Sequence, residues 1–517
     1  MINFFKKYWY NFLVFFIILL GIILRLKGFI ANPSLWHDEC GAAWNIKFKS
    51  YAELFGVLRF LQVAPPLFLV LTKFLTQILG FNEWVFRLIP FLSSCLSVIA
   101  FYFLSKKALN TKFATLIALF LFSINNMLIH YSFDFKPYES DVLLTILCLL
   151  LFINLDINKL SRKKVLFYGI LLAILPWFSF VSVFIIAGGL LFLLLKEIKS
   201  KRLKERSQED KRTRCVEEQN KNHASTPLRL YASDNHSILQ HFVLSLPLIV
   251  SLLIYIKFYV IANYTGTTMP QGWQTYFVTI NPIHFFRLVI ESLKFLFPFV
   301  NYVLFIFIFF VWGIVAYIKE KSVFFNVAIL SFMSLIFASL LKIYPFGERV
   351  ILFLIPIYIL FIIKPFDLVS LDKKIKLGAM IFLITITFWT QFVWVGYFLF
   401  KAKNITKGEY AREMMAMMVK DLKPTDIIFV NGLSDTEYAY YSSFYNIKNR
   451  VIQPHPDKKD NVTAILEASL KKGDCCWFYL MLGAPQSVIE WAKNRTNIVK
   501  IVNNNNVNNY LIYGCIK

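Results

Sequence analysis

Residues 8–26 read YWYNFLVFFIILLGIILRL, and residues 34–39, a few positions on, read SLWHDE. The first run is almost wholly apolar and long enough to cross a hydrocarbon core of about 30 Å as a helix. Asp38 and Glu39 then stand side by side just beyond its end. Carboxylates near lipid cost free energy, so acids held there point to a working site before they point to packing. The side to which the first helix delivers them is the side on which the chain acts.

The rest of the chain is of the same kind. Of its 517 residues, 57% are hydrophobic and 18% aromatic, which excludes a soluble globule. The apolar runs show no period-2 alternation, so the expected spanning form is the helix and not the barrel strand. A formal net charge of +24 could suit a nucleic-acid partner. Here the Lys and Arg cluster in the gaps between apolar runs, as cytoplasmic loops do, and no nucleic-acid partner is expected. Cys95 and Cys148 read as packing residues. Cys475, Cys476 and Cys515 leave room for one disulfide that no spacing specifies. Lys6-Lys7 before the first run resembles a signal peptide. The run is long for one and lacks a small-residue cleavage site, so it reads as a retained helix.

Basic clusters serve as a parity test for the threading. Lys6-Lys7 puts the N-terminus in the cytoplasm, and Lys106-Lys107 marks the next inner turn. One span, 83–104, joins them from outside, which leaves 27–82 as a long outer loop with juxtamembrane helices. Spans follow at 112–130 and 138–155. The basic ends of 165–195 require two short helices broken near Pro176, or one re-entrant hairpin. Residues 196–240 read as a disordered cytoplasmic loop. Spans at 241–262, 296–318, 323–341, 348–363 and 377–400 bring the count to about eleven. The tail, 401–517, then lies outside. Strand-like runs at 427–430, 476–481, 497–502 and 509–514, with a helical pattern at 485–493, make it a small α/β domain. The expected architecture is therefore a polytopic α-helical membrane module, 1–400, followed by a small extracytoplasmic α/β domain. Its setting is the inner cell membrane.

Under this threading four features share the outer face. They are His37-Asp38-Glu39; the stretch 130–138; the segment 263–291 with Trp273, His284, Arg287 and Glu291; and Tyr344-Pro345-Phe346-Gly347-Glu348-Arg349. Each alone has a plain structural reading as solvated acids, interfacial anchors or a turn. A random topology would scatter them over both faces.

Several stretches carry a resemblance. Ser34-Leu35-Trp36-His37-Asp38-Glu39, Pro65-Pro66-Leu67-Phe68 and Phe81 to Pro90 look like the opening of family 39-type glycosyltransferases of the GT-C architecture. That group includes protein O-mannosyltransferases and aminoarabinose lipid A transferases. Tyr131-Ser132-Phe133-Asp134-Phe135-Lys136-Pro137-Tyr138 resembles their second outer loop, with Asp134 and Lys136 standing for the usual Glu and Arg. Tyr344 to Arg349 resembles a late outer motif of bacterial members. The likeness is good over about residues 20–160 and patchy beyond.

The resemblance implies transfer of a sugar from a polyprenyl-phosphate-linked donor to a glycolipid, cell-envelope glycan or protein acceptor at the outer face of the bilayer. Asp38 matches the family's catalytic acid and is expected as base, with inversion in a single displacement. Glu39 and Asp134 complete the catalytic set. Arg349, Lys136 and Tyr344 are expected at the donor phosphate, although Lys lacks the guanidinium fork. His37, Tyr138 and Trp273 are expected at the substrates. A divalent metal stays open, with His37, Asp134 or His284 as ligands, though no spacing specifies it. The alternatives are a lipid-linked oligosaccharide polymerase or ligase, whose large outer loop usually comes late, and a flippase or transporter, which should carry charges inside its spans.

Overall fold

The computed structural model describes residues 2–222, 235–257, 271–298, 303–368, 374–400, 410–431, 434–454, 462–481, 485–504 and 509–517. Residues 258–262 of the expected span 241–262, 263–270 of the expected outer segment and 223–234 of the expected loop lie outside the described residues.

The chain opens with α1 (Ile2–Ala31), α2 (His37–Phe48), α3 (Pro66–Leu79) and α4 (Glu83–Ala108). Next come α5 (Lys112–Ile124), α6 (Asn126–Tyr131), α7 (Tyr138–Asn154), α8 (Arg162–Phe178), α9 (Ser182–Asn222) and α10 (Asn235–Tyr255). Then follow α11 (Pro282–Leu296), α12 (Val303–Glu320), α13 (Val323–Leu340), a 3-10 segment Glu348–Leu354, α14 (Ile355–Asp367) and α15 (Lys374–Phe400). Five stretches are by themselves long and apolar enough to cross a membrane: Tyr8–Ala31, Glu83–Ala108, Val303–Glu320, Val323–Leu340 and Glu348–Asp367. This is a polytopic helical membrane protein.

The stretch 165–195 is two helices, parted at residues 179–181 just after Pro176. One expectation fails beside it. The segment after 196 continues α9 as helix to Asn222 instead of forming a disordered loop. Its Lys, Arg, Glu and Gln are good helix formers, and the apolar half of α9 already supplies the nucleus that an isolated polar segment lacks. Absence of an apolar face does not forbid a helix that grows from one.

Two compact units result, and they do not follow the expected boundary at residue 400. One comprises 1–23, 93–129 and 137–395; the other comprises 24–92, 130–136 and 396–517. The first is the helical body. Its spans pack closely where side chains are small: a Cβ on Gly313 of α12 would lie 1.8 Å from the Phe361 carbonyl oxygen on α14.

The second unit joins residues 24–92 and 130–136 to the tail. The tail adds α16 (Ala411–Asp421), β1 (Ile427–Val430), α17 (Asp435–Ser442), β2 (Val451–Ile452), α18 (Val462–Ser469), β3 (Cys475–Leu480), α19 (Gln486–Arg495), β4 (Thr496–Asn504) and β5 (Asn509–Ile516). The sheet order is β2-β1-β3-β5-β4. The first three strands are parallel, while β5 runs antiparallel to both β3 and β4. Every β1 residue is buried, as expected of a parallel strand covered on both faces. Ile427, Phe429, Cys476 and Phe478 turn to one core with Leu466 and Val488. A disulfide links Cys475 to Cys515, directly opposed across β3 and β5.

Candidate active site

The acidic motif forms the first turn of α2, where carboxylates suit the positive end of the helix. Its two acids have different surroundings. Glu39 is fully buried. Its carboxylate accepts from Arg87 Nε at 3.3 Å and from the terminal guanidinium nitrogen at 3.0 Å. It also accepts from the backbone N–H of Trp36 at 3.2 Å and from that of Phe135. Arg87 is equally buried and donates further to Asn32 Oδ1 and the Pro33 carbonyl. One ion pair thus ties the stretch before α2, the start of α4 and the turn at Phe135 together.

Asp38 is half-buried and faces a cation. Lys136 Nζ lies 3.7 Å from its Oδ2, with side-chain exposures of 11% for Lys136 and 21% for Asp38. Gln62 Oε1 accepts from the same ammonium at 2.9 Å, and the Trp36 ring lies 5.9 Å from it. Gln62 arrives through a strained turn: Phe60 and Leu61 both have left-handed backbone, at φ +61° and +51°. Bulky residues avoid that region, and such outliers gather at functional sites. The Phe135 ring stacks with Phe86 and Phe68, at 5.1 and 5.8 Å, and so fixes its neighbour Lys136. Asp134 is buried within this turn, and its carbonyl accepts from the Lys136 N–H at 2.8 Å.

His37 reaches the tail. Its Nδ1 lies 3.1 and 3.2 Å from the two carboxylate oxygens of Glu437 on α17. Burial pushes the Glu437 carboxyl up, and His37 beside it pulls the other way. The same helix is fastened to the same stretch at other points. The Tyr441 hydroxyl accepts from the Leu35 N–H at 2.8 Å and donates to Glu83 at 2.8 Å. Lys47 Nζ donates to the Ser443 carbonyl at 3.0 Å and lies 3.7 Å from the Phe444 ring centre. Arg412, at the start of α16, pairs with Glu83 and donates to the Asn32 carbonyl at 3.3 Å.

The remaining sequence candidates lie in the helical body. Tyr138 begins α7. The Tyr344 hydroxyl donates to the Val350 carbonyl at 3.0 Å, and its ring meets Phe184 at 5.1 Å. Arg349 is the second residue of the 3-10 segment, after Glu348 at φ +48°. Tyr276 donates to Glu348 at 2.5 Å, and its carbonyl accepts from the Phe346 N–H at 2.8 Å. A Cβ on Gly347 would strike the Tyr276 ring at 2.1 Å, so glycine is required for that approach. Trp273 is half-buried, 5.7 Å from Tyr276. His284 Nε2 lies 3.1 Å from the Phe277 carbonyl oxygen. Among the described residues, no group of three or more His, Cys, Asp or Glu is placed to hold a metal ion.

Residues 63–208 match the family model described as dolichyl-phosphate-mannose-protein mannosyltransferase. No curated protein matches the chain significantly. Among solved structures it is similar to ArnT from Cupriavidus metallidurans. The structure bound to undecaprenyl phosphate aligns over 96% of this chain and 98% of that one, at TM-score 0.51 and 11% identity. The apo structure aligns over 96% and 97%, at TM-score 0.52 and 11% identity. The chain has the GT-C membrane-glycosyltransferase fold. Together with the family match, this makes its enzyme class that of a membrane glycosyltransferase.

In this glycosyltransferase fold, the sequence motifs located Asp38, Glu39, Asp134 and Lys136, and one unit brings those four residues and His37 together. Sequence reasoning missed Gln62, Glu437, Tyr441 and Arg412. Gln62 carries one local signal, the two Pro that follow at 65–66. The tail residues carry none.

Proposed function

We propose that the enzyme moves a sugar from a polyprenyl-phosphate-linked donor to an acceptor at the extracytoplasmic face of the inner membrane. The supporting observation is the Asp38–Lys136 pair: an acid and a cation from two separate outer segments, 3.7 Å apart, the lysine buried and the acid half-buried. Displacing a sugar from a lipid phosphate needs a base for the attacking hydroxyl and positive charge for the departing phosphate. Asp38 would take the proton. Lys136 would neutralise the phosphate, holding it as a point charge. With one carboxylate in a nucleophile-activating position, the transfer would proceed with inversion. Glu39, fully buried against Arg87, would act by positioning Asp38. Asp134 would shape the turn that presents Lys136. The roles of Arg349 and Tyr344 at phosphate, and of Tyr138 and Trp273 at the substrates, rest on the sequence resemblance.

The undecaprenyl phosphate in the similar structure supports the donor class. The Cys475–Cys515 disulfide supports an extracytoplasmic tail, because such bonds persist in oxidising compartments. The acceptor class is a glycolipid, an envelope glycan or a protein. Mass spectrometry of envelope lipids, glycans and proteins from cells with and without the gene tests the proposal. Loss of one sugar mass from one acceptor is expected. An unchanged envelope overturns it, and altered polymer length without loss of a sugar unit would favour a polymerase or ligase.

A further inference from the structure

We propose that Glu437, on α17 of the tail, is a positioning residue for the transfer: it holds the His37 imidazole, next to Asp38, in one tautomer and one orientation. This deepens the function proposed above and rests on it. The geometry is of a kind that orients a ring. Both Glu437 oxygens are within 3.2 Å of His37 Nδ1, the Glu437 side chain is fully buried, and His37 keeps 28% exposure. A carboxylate taken out of water needs a hydrogen-bond donor, and the His37 Nδ1–H is placed to be that donor. The link is also rigidly framed. Tyr441, one turn further along α17, bonds the backbone of Leu35 and the carboxylate of Glu83, and Lys47 of α2 bonds Ser443. The elements bearing His37 and Glu437 are therefore fastened to each other at further points beyond the contact.

The chemistry follows from the ring. A neutral imidazole that donates its Nδ1–H to a carboxylate carries its lone pair on Nε2. His37 then meets its substrate as a hydrogen-bond acceptor, and the group it recognises is a hydroxyl or ammonium hydrogen of the sugar or the acceptor. The tail so becomes part of the catalytic apparatus, through a residue that touches no substrate itself.

The test uses the full-length protein with Glu437→Ala, Glu437→Gln, His37→Ala and the double alanine variant. Nitrogen-15 spectra of labelled histidine should show the Nδ1–H tautomer for His37 and lose it in Glu437→Ala. In cells, the modified fraction of the envelope acceptor should fall by about 10-fold or more in Glu437→Ala, the scale seen when the group orienting a functional imidazole is removed. Glu437→Gln, whose amide oxygen still accepts, should stay within about 3-fold, and the double variant should be no worse than His37→Ala. Binding of undecaprenyl phosphate serves as the folding control and should be unchanged. If Glu437→Ala fails that control, the Gln variant and the wild-type tautomer carry the test. An Nε2–H tautomer in the wild type, or alanine effects that multiply, would overturn the proposal. If wild-type cells make no transfer product, the function proposal fails, and the spectra alone then decide the His37–Glu437 link.

Discussion

Two lysine–aspartate pairs in this chain look alike as residue names and differ in their settings. At the end of α14, Lys364 and Asp367 have fully buried side chains and lie 2.8 Å apart. Lys364 also meets Glu320 at 2.6 Å, and the Asp367 carboxylate holds the turn before α5 by accepting from the backbone N–H groups of Asn110 and Thr111. Every group there is committed to holding three segments together. Lys136 and Asp38 instead stand 3.7 Å apart, partly exposed, on residues that neighbouring aromatic and ionic contacts fix in place. Close, fully buried contacts suit a structural joint, whereas a wider pair with some exposure is the arrangement proposed for the reaction centre.

The largest stability effect should come at the saturated pair. Asp367→Ala leaves Lys364 buried beside a weakened network and should cost about 3–5 kcal/mol. Thermal unfolding in detergent would detect this, and turnover per folded molecule should be preserved. Lost turnover at normal stability would erase the contrast. Arg87→Leu sharpens it from the other side, because the Glu39–Arg87 pair is saturated like the first yet adjoins Asp38. A loss of similar size is expected there, about 3–5 kcal/mol, with turnover falling as well because the α2 turn moves. Lys136→Met should cost less stability than Asp367→Ala, because this pair is wider and its acid is partly exposed. Its turnover should fall by about 10²–10³, the usual scale for removing one electrostatic stabiliser of a transition state.

The smallest effect concerns an intermediate case. The hydrogen bond to Glu348 pushes the Tyr276 phenol from 10.0 up to about 12. A folded value above the unfolded one means that this stabilisation is complete below about pH 10 and is lost as pH rises towards 12. Tyr276→Phe should abolish that alkaline step in an unfolding titration, and an unaltered step would assign it elsewhere.

How much was readable in advance follows the same division. The spans were legible because hydrocarbon thickness dictates run length, and the tail strands because covered strands are short apolar runs. Asp38 and Lys136 were legible because charges beside lipid are costly and so stand out. Arg87 lies inside a recognised motif, but nothing local told that it faces Glu39. Glu437 was invisible, since it belongs to none of the patterns read in the tail and its partner lies 400 positions away. The helix past residue 196 was misread because its stability comes from propensity and from the helix it extends, not from an apolar face. Local pattern reveals what water and lipid impose on each segment. Pairing between distant segments requires the fold.

The most direct test of the account is Asp38→Asn in the purified full-length enzyme, with thermal unfolding, undecaprenyl phosphate binding and transfer measured on the same preparation. The amide keeps the shape of the carboxylate and removes its basicity. Transfer should fall by about 10²–10⁴, as expected on losing a general base, while unfolding and lipid binding stay at wild-type values. Transfer retained within a few-fold of wild type would contradict the assignment of Asp38 as base and, with it, the reading of the Asp38–Lys136 pair as the reaction centre.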